Sequence, residues 1–547
     1  MLKLLFISFL FIVVNSQLPR GDQWPVTGKD YQMSYVNDNT DSHTFASAVN
    51  ISVVWKLDLP SVPGAPWPPT VPVHPAVVRD KVYFADTLGR LYKYDLKTNQ
   101  FDWNVTLSTN LTDRGTIETF QTTPVVTQDS VFISFRNIFR VNGDTGEVIW
   151  KKPVSDDTTS VGPDGRLTDY YTYTGDITVV DGYVIVGSGS TQNEITPGML
   201  VNPNNTDLTA RGSVVCFDEE TGTTLWRLYT TSDQLVPNPQ YGAGVSPWSS
   251  PSIDRSRYTV YIGTGNTFEP PASPYTNSLL AIDYRTGELL WQGQGKADDV
   301  YGFLYPSTAE DRDFSTHPNL FTLRVKLSND SRPHRYDFVN ICSKDGNCYI
   351  YDADQDTINA TALAILSIDF GSTLGGVQST PAIKDGIMYV SSHAVVDSYI
   401  DPMTNQTVTY RRGINGSLGF SEYGKLSQRL TAVNLTEALQ NPTYSVAQDH
   451  CRIVNCSYVL WRHEEAPGLF KLSYGPTSIT QDILFRPSYA GYIDIFSLNG
   501  TKSSKTLVPS PGLGVNGAVT ISNNYFCTGY GTTFLGFNTP GGIICYA

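Results

Sequence analysis

Val215-Cys216-Phe217-Asp218-Glu219-Glu220-Thr221-Gly222-Thr223-Thr224-Leu225-Trp226 is the stretch from which the fold can be read. A short apolar run ends at an Asp, Thr-Gly follows after two residues, and three more residues lead to a Trp. The carboxylate can accept backbone N–H groups of a tight turn, while Gly tolerates positive φ. The Trp then falls on the returning strand, where its large apolar area can wedge between neighbouring sheets. The pattern recurs as Asp95-Thr98-Asn99-Trp103, Asn142-Thr145-Gly146-Trp150 and Asp283-Thr286-Gly287-Trp291. A β-rich run precedes each turn: Lys81 to Phe84, Ser130 to Ile133, Gly182 to Val186 and Thr259 to Ile262. A hairpin repeated at such intervals is the signature of a β-propeller.

Later copies are degenerate: Asn340 to Asp352, Ile387 to Val390 leading on to Trp461, Ile483 to Leu498, and Tyr525 to Tyr546. Eight units begin near residues 75, 120, 176, 249, 316, 379, 472 and 514. They predict an all-β, eight-bladed β-propeller of four-stranded antiparallel blades. Ile51 to Lys56, with Trp55, reads as an orphan strand that completes the last sheet. Tyr546 competes for that place, and Trp55 is preferred. One propeller therefore covers 51–547, closed by the strand 51–57 and preceded by an N-terminal extension over 17–50. Polar or Pro/Gly-rich insertions at 188–211, 267–278 and 396–428 read as loops on one face, where sites usually lie. Leu435 to Leu439 is the short helix candidate.

Lys3 followed by the apolar run Leu4 to Val14 has the form of a signal peptide over 1–16, with cleavage before Gln17. That run is too short for a helix across a bilayer core, which needs about 20 apolar residues. Asn-x-Ser/Thr sequons stand at Asn50, Asn104, Asn110, Asn204, Asn329, Asn359, Asn405, Asn415, Asn434, Asn455 and Asn499. Together these features predict a secreted, extracellular glycoprotein. The C-terminus shows neither a retention tetrapeptide nor a lipid-anchor tail. Seven cysteines allow the close pairs Cys342/Cys348, Cys451/Cys456 and Cys527/Cys545, leaving Cys216 as a buried thiol. A net charge of −14 argues against nucleic acid and anionic membrane surfaces. The histidines show no paired metal-ligand spacing, and there is no nucleophile elbow or phosphate loop.

The Trp-turn repeat resembles that of pyrroloquinoline-quinone (PQQ) dehydrogenases, and residues 176 to 350 look like the polyvinyl-alcohol dehydrogenase branch. The likeness rests on Arg211-Gly212-Ser213-Val214-Val215 leading to Trp226, on Trp248-Ser249-Ser250-Pro251-Ser252-Ile253-Asp254, and on Tyr261-Ile262-Gly263-Thr264-Gly265-Asn266. It implies a PQQ- and calcium-dependent oxidoreductase acting on an alcohol or sugar-like substrate. Trp248 stands 18 positions before Asn266, the family's spacing between the Trp that stacks on the quinone and a calcium-binding Asn. An indole face suits a flat quinone, and an amide oxygen suits a hard cation. The resemblance also implies that Glu194 binds calcium and that Lys344 contacts the quinone oxygens. The family's general base is an Asp following the aromatic of Asp-x-Trp-Asp. In Asp298-Asp299-Val300-Tyr301-Gly302 that place is held by Gly302, which leaves Asp299 as the substitute base. Adjacent cysteines and a haem-attachment motif are absent. A second class therefore stays open, a non-enzymatic extracellular propeller serving as a binding or adhesion module.

Overall fold

A computed structural model describes residues 17–19, 21, 23–38, 44–65, 67–107, 122–153, 171–173, 175–190, 211–231, 244–301, 311–328, 330–371, 375–400, 406–412, 423–440, 456–509, 513–522, 524–532 and 538–547. The signal-peptide residues, Glu194 and Gly302 lie outside them. The described strands form eight antiparallel sheets, each containing one four-stranded blade. The fourth blade is typical, with strands Ser252–Asp254, Thr259–Gly263, Ser278–Asp283 and Leu289–Gln294 paired in chain order. The first strands of neighbouring blades touch one another, so the short first strand is innermost. In the eighth blade Val53–Asp58 is the outer strand, beside Thr539–Tyr546; Trp55 is paired with Cys545, and Tyr546 sits one strand further in. One α-helix, Leu435–Gln440, is present among the described residues.

The Trp-turn motif is a latch between blades, which explains why Trp and Gly recur together. Trp103 Nε1 donates to the Gly143 carbonyl at 3.1 Å, Trp150 to Glu219 at 2.9 Å, Trp226 to Tyr284 at 2.9 Å, and Trp461 to Leu498 at 3.0 Å. Each acceptor belongs to the turn of the following blade. The indole lies flat against that turn's glycine: a Cβ on Gly222 or Gly287 would come within 2.8 or 2.7 Å of the Trp150 or Trp226 ring. Both glycines also have positive φ, 65° and 77°, so no other residue fits both demands.

The insertion expected as loop over 396–428 is partly sheet. Strand Ile387–Ile400 runs long and pairs with Thr407–Arg412, whose β-branched run Thr407-Val408-Thr409 suits a strand. Two expected disulfides, Cys342–Cys348 and Cys527–Cys545, join directly opposed strand residues, and Cys216 is a buried free thiol. Cys456 is disulfide-bonded, while Cys451 lies outside the described residues.

Part of the N-terminal extension is built into the ring. Residues 23–38 hydrogen-bond the innermost strand of every blade, in chain order. Trp24 pairs with Val77 in both directions, and the Pro25 carbonyl takes the Val126 N–H. The Tyr31 hydroxyl reaches the Val179 carbonyl, while its own carbonyl takes the Ile253 N–H. Gln32 follows with Leu320, Ser34 with Ile383, Tyr35 and Asn37 with Ile479, and the Asn37 amide with Ile521. Trp24 and Tyr35 are fully buried as a result.

Candidate functional site

Two segments that enter first strands, Ser246–Pro251 and Asp311–Pro318, meet the Thr264–Asn266 strand end, Asp299 and the turn Ser343–Asn347. Backbone pairing sets this geometry before any side chain acts. Gly244, Thr267 and Val300 bridge in a row, which fixes Asn266 and Asp299 on adjacent segments. Gly187 makes room for the Trp248 segment, because a Cβ there would lie 1.8 Å from the Pro247 carbonyl oxygen. Phe314 bridges Ser343, and the Lys344 N–H donates to the Asp313 carbonyl at 3.0 Å.

Lys344 is the hub. Its Nζ donates to both oxygens of Asp311 at 3.0 Å and to Asp313 Oδ2 at 2.7 Å, and it stands 5.3 Å from the centre of the half-buried Trp248 ring. Burial works against the ammonium, but Asp311 and Asp313 outweigh it and hold its pKa above the ordinary lysine value. Burial lifts Asp311 well above the usual carboxylate range despite the pull of Lys344. Asp313 Oδ1 has no hydrogen-bond partner, and neither has Trp248 Nε1. Both atoms crowd Gly265, where a Cβ would meet them at 3.2 and 3.3 Å.

Asp299 is 0% exposed. Its Oδ2 accepts the Arg312 N–H at 3.0 Å, and its Oδ1 is unpartnered. Burial, reinforced by Asp313, pushes its pKa up to about 7. Asn266 is 4% exposed; its amide nitrogen donates to the Thr267 and Tyr301 carbonyls, which leaves the amide oxygen as the end open to a cation. No cluster of three or more His, Cys, Asp or Glu with metal-site geometry occurs among the described residues.

Four of the five site residues expected from sequence, Trp248, Asn266, Asp299 and Lys344, therefore fall in this region of the fourth and fifth blades. Glu194 lies outside the described residues. Asp311 and Asp313 went unseen because the expected pattern put an aromatic before the Asp, whereas here Phe314 follows it. The available signal was two acids, two apart, immediately ahead of a first strand and 33 and 31 positions before Lys344.

Residues 160–356 match the family described as glucose/ethanol/alcohol dehydrogenase, beta-propeller domain, and residues 25–196 match outer membrane protein assembly factor BamB. The chain is 25% identical over 337 residues to the polyvinylalcohol dehydrogenase of Sphingopyxis sp. (strain 113P3), covering 57% of this chain and 47% of that protein. It is 25% identical over 394 residues to the polyvinylalcohol dehydrogenase of a Pseudomonas species, covering 69% and 56%. The chain thus spans about half the length of the curated relatives it matches. The quinohemoprotein alcohol dehydrogenase of Comamonas testosteroni has the same fold, with a TM-score of 0.67 at 15% identity over 96% of this chain and 80% of that one. The chain is built of PQQ-type propeller repeats, and its homologues include polyvinyl alcohol dehydrogenases and quinoprotein alcohol dehydrogenases.

Proposed function

We propose that this chain is a secreted, PQQ- and calcium-dependent oxidoreductase that oxidises an alcohol or sugar-like hydroxyl. The observation that carries the reading is Lys344, held over the Trp248 indole by Asp311 and Asp313 beside unpartnered polar atoms. Buried polar groups without partners are costly, so Trp248 Nε1, Asp313 Oδ1 and Asp299 Oδ1 together favour a polar occupant. Carboxylate and amide oxygens are the donors a hard cation prefers. These residues fit the implied groups. Trp248 and Lys344 would hold the quinone, and Asn266, Asp299 and Glu194 the calcium. The quinone, when bound, supplies a two-electron acceptor, and calcium a fixed positive charge.

The chain's own residues handle the proton. Asp313 has one oxygen ion-paired to Lys344 and the other free at the edge of Trp248. We assign it the general base that takes the substrate hydroxyl proton at Oδ1. Asp299, the base suggested by the sequence, sits deeper and serves the cation instead. Lys344 keeps Asp313 turned toward the substrate and neutralises part of the three-carboxylate charge. Asn50, Asn104, Asn359 and Asn499 are exposed sequon positions, which supports passage through the secretory pathway. No helix among the described residues is long and apolar enough to cross a membrane.

The test is calorimetric titration of the metal-stripped protein with PQQ, with and without calcium. Calcium-dependent binding that falls at least tenfold in Trp248→Ala and Asn266→Ala is the expected result. Absence of binding in both conditions would overturn the reading and leave an extracellular binding or adhesion module. Asp313→Asn should bind PQQ yet lose turnover with alcohols and an artificial acceptor.

A further inference from the structure

Two residues before the first strand, six of the eight blades carry a polar residue: His74, Thr123, Asp176, Ser250, His317 and Thr380. Hydrogen bonds join them from blade to blade. Thr123 Oγ1 donates to the His74 carbonyl at 3.1 Å, and the Thr123 N–H to Asp176 Oδ1 at 2.6 Å. Ser250 Oγ donates to Asp176 Oδ2 at 2.9 Å, while the Ser250 N–H donates to His317 Nδ1 at 2.8 Å. The His317 N–H then donates to Thr380 Oγ1 at 3.0 Å. This polar belt passes through the segment bearing Trp248, where Ser250 is its member two residues from that indole.

The strap formed by residues 23–38 docks on the belt on both sides of Ser250. Thr27 Oγ1 donates to the same Asp176 oxygen that Ser250 uses. The Tyr35 ring stacks on His317, with centroids 6.5 Å apart and planes 12° from parallel. Asp176 and Tyr35 are encased in protein, so neither contact can be replaced by bulk water. Removing the Thr27 hydroxyl would leave a buried carboxylate oxygen with one donor fewer, a defect that Ser250 must absorb.

We propose that Thr27 and Tyr35 of the N-terminal strap are positioning residues for the quinone platform, setting Trp248 through Asp176, His317 and Ser250. The inference rests on the PQQ-site reading above. It extends that reading by making the N-terminal strap a working part of the site.

The test uses the full chain carrying Thr27→Val, Thr27→Ser or Tyr35→Leu. Three readings are taken: the melting temperature, PQQ affinity in the presence of calcium, and amide hydrogen exchange at 248–252. Thr27→Val and Tyr35→Leu should weaken PQQ binding about tenfold and speed exchange at 248–252, while Thr27→Ser behaves as wild type. Exchange in the outer strand Gln100–Thr106 of the first blade, which neither residue touches, should stay unchanged. Wild-type affinity and wild-type exchange at 248–252 in both disruptive variants would overturn the proposal. So would faster exchange throughout the ring, which marks a merely structural strap. If the wild-type protein binds no PQQ, the function reading fails, and local exchange at 248–252 alone decides the positioning role.

Discussion

Blades one to four and blades five to eight solve the same mechanical problem differently. In the first four, each outer strand carries a Trp, at 103, 150, 226 and 291, and the first three of these bond the next turn in the same way. In the second four, Val459–Glu464 and Val53–Asp58 keep theirs, at 461 and 55, and Trp461 makes the same bond to the next turn, but neither Ala364–Ser367 nor Lys502–Leu507 carries a Trp. Other ties appear there. Cys342–Cys348 clamps the fifth blade, helix Leu435–Gln440 packs against it from the sixth, and Cys527–Cys545 clamps the eighth. In the seventh blade the fully buried Arg486 bridges Glu465 and Asp494. A repeat can therefore drift once another device supplies blade cohesion. The candidate site sits at the seam, with Trp248 and Asn266 from the regular half and Asp311, Asp313 and Lys344 from the irregular one.

The largest expected effect tests the regular half. Trp226→Ala removes a part-buried indole and its bond to Tyr284, and should cost about 4 kcal/mol in urea denaturation. A loss below 1 kcal/mol would mean that the latch does not hold these blades and that the two halves are alike. Next, replacing Cys527 and Cys545 together by Ser should cost about 3 kcal/mol, the value for a loop of that size. An unchanged denaturation midpoint would show that the second half has no need of its covalent ties.

The smallest effect lies at the seam and has the opposite sign. Asp299 keeps its proton in the fold up to about pH 7, whereas the unfolded chain releases it near 4. Folding stability therefore falls as pH rises through that window, and the full cost is present above 7. Asp299→Asn should gain about 2 kcal/mol at pH 8 in the metal-free protein and nothing at pH 4. Melting curves of the two proteins against pH check this; parallel curves would show that the carboxyl carries no such strain.

The regular half was legible because its signals are local: a turn Asp or Asn, a Gly or Asn, and a Trp at fixed spacing. The drifting blades were found by β-rich runs alone, without the Trp turn. The strap was invisible for a physical reason. Most of its bonds use backbone N–H and C=O groups, which every residue owns, so Pro25, Gln32 and Ser34 leave no pattern. Part of the 396–428 insertion was misread because polarity marks loops and exposed hairpins equally. Spacing singled out Trp248 and Asn266, and the family resemblance Lys344, whereas Asp311 and Asp313 acquire meaning only when the fold brings Lys344 to them.

The closing strand has a consequence for how the molecule is made. The Tyr530 hydroxyl reaches the Leu57 carbonyl across 473 positions of chain, and the strand around Leu57 emerges from the ribosome long before its partner. Bringing such distant ends together costs on the order of 5 kcal/mol in chain entropy, repaid only at the final pairing. Newborn chains must therefore carry an unsatisfied sheet edge through most of synthesis. Ring closure becomes the last, slowest and most aggregation-exposed event of folding.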